Sequence, residues 1–180
     1  MQRARLLDKE WPGCECERES LQSEGGKPVA DDEVVARILT SPEGYDITTR
    51  ALVATKLQSV YSCGLSVIRS GASDAEISNT VDQLTRASET SSLVGAIVLP
   101  VADIRALRDE EAWFGVYATD DGNKTHHVDI AGTWPNSGSN KEKRKRQDDR
   151  RMRLRDKFAS RILFANDAAG LIAQLRAAGL

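Results

Sequence analysis

The chain has 180 residues, 40% hydrophobic, 29% charged and only 5% aromatic, which excludes a wholly disordered polypeptide and allows one core built mostly from Val, Ile, Leu and Ala. Its 25 Lys and Arg against 27 Asp and Glu give a formal net charge of −2, so it is not a basic protein overall. The longest apolar run, Leu93 to Leu99, is far short of the roughly 20 residues that span a bilayer, and Met1 to Glu10 lack the apolar stretch of a secretory signal. The expectation is a cytoplasmic chain with no membrane association.

Residues 1–30 hold Pro12, Gly25-Gly26, Pro28 and many charges without periodic apolar positions, the pattern of an irregular or mobile arm. Residues 31–180 read as a single α+β domain. Asp31 and Asp32 offer caps for a short helix in which Val34/Val35 recur as Ile38/Leu39, ended by Ser41-Pro42-Glu43-Gly44. A second helix is expected from about Thr49 to Ser62, with Val53, Leu57 and Val60 on one face and Gly64 as its left-handed stop. Leu65 to Arg69, β-branched and bounded by Gly64 and Gly71, predicts a strand.

Ser73 and Glu76 have the spacing of a capping box, and Ile77, Val81 and Leu84 supply the buried stripe of the helix it would start. Leu93 to Leu99, apolar on both faces, predicts a central strand covered on both sides, and Pro100 is suited to begin the next helix. Trp113 to Thr119 and Lys124 to Ile130 predict a hairpin around Asp120-Asp121-Gly122-Asn123, because Asp-Gly supplies the positive φ angles of a tight turn. A basic helix over about 141–163 and a short amphipathic helix over about 166–178 close the chain. The sum is a small sheet of about four strands, including the hairpin at 113–130, flanked by about six helices.

Between Lys141 and Arg161 stand eleven Lys or Arg and four Asp or Glu, so this segment carries +7 and the remainder of the chain −9. Lys143, Arg144, Lys145, Arg146, Arg150, Arg151, Arg153 and Arg155 are the candidate binding residues, able to neutralise phosphates or carboxylates. Arg144 with Asp148 and Asp149 with Arg153 stand at spacings that allow local ion pairs. No aromatic residue lies between Lys141 and Lys157, which argues against base-stacking recognition of single strands.

Two weaker constellations remain. Alternation along Thr125 to Ile130 puts His126 inward with Val128 and Ile130, and His127 and Asp129 outward together. A His and an Asp at that spacing could ligate a divalent metal such as zinc or form a general-base pair. Cys14 and Cys16 could add soft ligands, but one Cys-x-Cys with an odd total of three cysteines reads as reduced thiols. No nucleophile elbow and no phosphate-cradling glycine loop occurs.

The leading expectation is therefore a non-enzymatic accessory protein, without a cofactor, that docks its basic helix on an acidic protein partner or a nucleic-acid backbone. The alternative is a metal-assisted hydrolase or nuclease using His126, His127 and Asp129, with the basic residues gripping phosphate.

Overall fold

The computed structural model describes residues 28–61, 64–107, 114–119, 126–132 and 138–180. In chain order its strands are β1 (Val34–Ser41), β2 (Tyr45–Asp46), β3 (Ala51–Leu52), β4 (Leu65–Arg69), β5 (Ser92–Pro100), β6 (Phe114–Ala118), β7 (His127–Gly132) and β8 (Ile162–Phe164). The helices are a 3-10 helix (Ala54–Tyr61), α1 (Asp74–Arg86), α2 (Val101–Arg105), α3 (Asn140–Ala159) and α4 (Ala168–Ala177). Six strands form one antiparallel sheet in the order β6, β7, β4, β1, β5, β8, and β2 pairs separately with β3. The class is α+β, but the expected four-strand sheet with six helices is too small by two strands in its main sheet, and five helices occur among the described residues.

The largest correction concerns residues 34–41, expected as a helix and found as β1 near the centre of the sheet. Both of its faces are buried: Val35 and Leu39 enter one core while Ala36 and Ile38 enter the other. Apolar pairs four residues apart therefore arise from a strand covered on both sides, and β-branched Val34, Val35 and Ile38 fit the pleat. Residues 49–62 also depart from the expected helix. Their last part is a short 3-10 helix that still buries Leu57 and Val60, while Asp46 accepts from the backbone N–H groups of Thr48 and Thr49 in a turn before β3. A third correction falls at the end of the basic helix, which stops at Ala159. Ile162 belongs to the edge strand β8, paired with Ile97.

Other expectations hold in part: Ile77 and Val81 of α1 are buried as expected, but Leu84 is 38% exposed, because the last turn of α1 runs past the edge of the core. The Ser73 and Glu76 side chains form the reciprocal capping box of α1, and β6 pairs with β7 from Phe114 opposite Gly132 to Ala118 opposite Val128. The Asp120-Gly122 turn of that hairpin lies outside the described residues, as do Trp113 and residues 1–27 of the expected arm. Val29, just after them, is buried.

Two cores sandwich the sheet. On one face α2, α3 and the 3-10 helix cover Leu65, Val67, Ile97, Leu99, Val128 and Ile130; on the other α1 and α4 cover Ile68, Ala96 and Val98. Each fully buried Leu or Ile contributes about 1.5–3 kcal/mol relative to exposure, so the sheet and its layers hold α3 firmly in place.

Candidate docking helix and a polar network on the sheet

Ser139 caps α3, its hydroxyl accepting from the Glu142 N–H while the Glu142 carboxylate accepts from the Ser139 N–H and hydroxyl. Those hydrogen bonds to Ser139, with Arg146 nearby, hold the Glu142 pKa below the usual glutamate value. Further along, Leu154 and Phe158 are fully buried, one helical turn apart, and fix which side of α3 faces the sheet. The roll of the helix then sorts its cations. Arg150 is only 6% exposed. Lys143, Arg146, Arg151, Arg155 and Lys157 lie half-buried along the flanks, and Lys141, Arg144, Lys145 and Arg153 stand out in solvent.

Pairing divides the helix a second way. Arg151 meets Asp148 at 2.9 Å, Arg155 meets Asp156 at 2.7 Å, and Lys157 and Arg161 share Asp103 of α2 at 3.0 and 3.4 Å. Asp148 therefore goes to Arg151 rather than to Arg144: a half-buried guanidinium loses less of its attraction to solvent screening than an exposed one. Asp149 and Arg153 form no pair. Among the described residues, Lys141, Lys143, Arg144 and Lys145 make no ion pair either, and the one acid among them, Glu142, is occupied by the cap. The first two turns of α3 thus hold most of the accessible, unpaired positive charge, with Arg153 as a further exposed cation beyond them. Asp148 and Asp149 bound it one turn further on.

On the opposite face of the sheet, β4, β6 and β7 assemble a polar network. Asp129, 2% exposed, accepts from the Ser66 hydroxyl at 3.2 Å and from the Thr119 hydroxyl at 2.9 Å. The same Thr119 oxygen lies 2.8 Å from Nδ1 of His127. His127 and Asp129 share a face, but they are not outward as expected: Asp129 is buried, and a threonine hydroxyl stands between the two. A carboxylate only accepts, so Thr119 gives its single proton to Asp129 and takes one from Nδ1–H of His127, which assigns the lone pair to Nε2.

Arg37 of β1 donates to the Ser66 carbonyl at 2.9 Å, where β1 and β4 cease to pair. Burial lowers its pKa to about 10, against the opposing effect of the Asp129 charge. His126, expected inward with Val128, instead faces Glu76 of α1 with Nδ1 3.0 Å from the carboxylate.

Among the described residues no three His, Cys, Asp or Glu side chains gather as a metal ion would require. Cys14 and Cys16 lie outside the described residues. Arg37, Ser66, Thr119 and Asp103 escaped sequence reasoning. Only Arg37 left a local signal, as a lone charge inside the apolar run Val34 to Leu39. No helix among the described residues is long and apolar enough to cross a membrane. No protein-family model matches the chain, and no curated protein or solved structure is significantly similar to it.

Proposed function

We propose that this protein is a non-enzymatic interaction module that docks the first two turns of α3 on an acidic surface. The observation that carries the reading is the set Lys141, Lys143, Arg144 and Lys145, four cations without an ionic partner on a helix whose other end is anchored by Leu154 and Phe158. An anchored helix presents its charges without the ordering cost that a disordered basic tail incurs on binding. The acidic remainder of the chain adds direction, because it repels a polyanion everywhere except along this helix.

The test is fluorescence anisotropy with a labelled polyglutamate peptide at low salt and again near about 150 mM, where charges more than about 8 Å apart are screened. Lys141→Ala, Arg144→Ala and Lys145→Ala together should weaken binding at least tenfold, about the effect of 1.4 kcal/mol. Circular dichroism should be unchanged, because these side chains cover no core. Equal binding by the triple variant and the parent would overturn the proposal.

A further inference from the structure

Taking the docking reading as its premise, we infer that the partner presents a short block of carboxylates on a helix, followed one turn on by a cation, rather than a phosphate backbone. Lys141, Arg144 and Lys145 stand at i, i+3 and i+4 and therefore form one cluster along the axis, about 6 Å from first to last. All three are exposed and none has an ionic partner.

The next turn reverses sign. Asp148 and Asp149 are both exposed, and only Asp148 is paired, with one oxygen on Arg151. Beyond them stand half-buried Met152, half-buried Arg155 paired with Asp156, and a single exposed unpaired cation, Arg153, not a second block of three. The accessible face therefore reads positive, then negative, within about three turns.

That order selects among polyanions. A duplex carries a phosphate about every 3.4 Å of axis on each strand, so one laid over Lys141 to Lys145 continues past them. Its next phosphates meet Asp148 and Asp149, and like charges brought together oppose association. A helix bearing Glu or Asp at i, i+3 and i+4 satisfies the three cations and then ends its acidic block. A Lys or Arg one turn later meets Asp149, the free carboxylate. Single exposed pairs contribute little, so the match acts chiefly through specificity and rate of encounter.

The experiment compares three labelled probes on the full chain near physiological salt. The first is a helix-forming peptide with the carboxylate block and trailing lysine. The second is a peptide of the same composition with its charges dispersed around the helix, and the third is a duplex of about 20 base pairs. The block peptide should bind about tenfold more tightly than either of the others. Asp148→Asn with Asp149→Asn should narrow that gap and raise duplex affinity. Equal binding of the two peptides, or a duplex that binds as tightly as the block peptide, overturns the inference. If the Lys141, Arg144 and Lys145 triple variant still loses binding in either case, docking stands and only the identity of the partner falls; if it loses nothing, docking itself falls.

Discussion

Glu33 shows how much one side chain can bind together. Its carboxylate accepts from Nε and Nη2 of Arg69 at 2.7 and 2.5 Å and from the Ala30 N–H at 2.8 Å, tying the segment before β1 to the end of β4. Burial alone would raise its pKa, but the hydrogen bonds from Arg69 and Ala30 and the charges of Arg69 and Arg105 outweigh that and leave it below the ordinary value of 4.5. A carboxylate whose folded pKa is depressed stabilises the fold above its unfolded pKa and loses that contribution as pH falls through the folded value. Glu33→Gln should therefore cost about 1–3 kcal/mol near neutral pH, as expected for a hydrogen bond to a charged group. Urea denaturation of parent and variant should converge once the solution is acidified below the carboxylate range. A gap that persists there would mean that Glu33 acts through packing and not through its charge.

Gly95 illustrates a different constraint at the same scale. With φ at +144° it lies opposite Leu39, where the β1 and β5 register shifts, and a Cβ at this position would sit 1.9 Å from the Leu163 carbonyl oxygen. Only glycine lets β8 approach β5 this closely.

Among the elements, α3 couples the fold to the proposed function. Leu154 and Phe158 bury against the sheet, and their direction decides which arginines are exposed. Phe158→Ala should cost about 3–5 kcal/mol through lost transfer energy and a residual cavity. Arg153→Ala, on the exposed side, should stay within about 0.5 kcal/mol. Chemical denaturation of both variants checks the contrast; comparable losses would mean that the helix is rolled differently on the sheet.

The same element shows what a sequence can and cannot reveal. That residues 141–159 are a basic helix is plain from composition and from Leu154 and Phe158, and the capping box of α1 is equally local. Which cations are free is not local, because Arg151 competes for Asp148 and Asp103 of α2 reaches Lys157 and Arg161 across the fold. β1 was illegible for a related reason: a strand with two buried faces has no alternation to read, and its apolar pairs coincide with a helical repeat. Ile162 likewise continued the period of α3 although the chain had already turned at Ser160. The His127 and Asp129 pairing on one face was visible, whereas the Thr119 oxygen between them depends on the register of β6 with β7.

For the whole molecule, the sheet order sets a gradient of stability. β1 pairs with β5 along its full length and with β4 at Val35 and Ala36, and helices cover both of its faces. β8 lies at an edge with three residues and an exposed Phe164 whose ring meets Tyr45 edge-on at 5.7 Å. Amides bonded within a doubly covered centre exchange only when the whole domain opens, while edge segments open locally at lower free energy. Hydrogen exchange should therefore find the slowest amides at Val35 to Leu39 and Ala96 to Leu99. Those of Ile162 to Phe164 should exchange at least about a hundredfold faster, the ratio of a 2.7 kcal/mol difference in opening energy. Equal protection of β8 and β1 would require the edge to be covered by a further layer. Because Leu154 and Phe158 share a core with Ile97 and Leu99, the buried side of α3 should exchange with the slow centre. Its first two turns, where Lys141, Arg144 and Lys145 are exposed and cover no core, should exchange with the fast edge and remain the part of the helix freest to adjust to a partner.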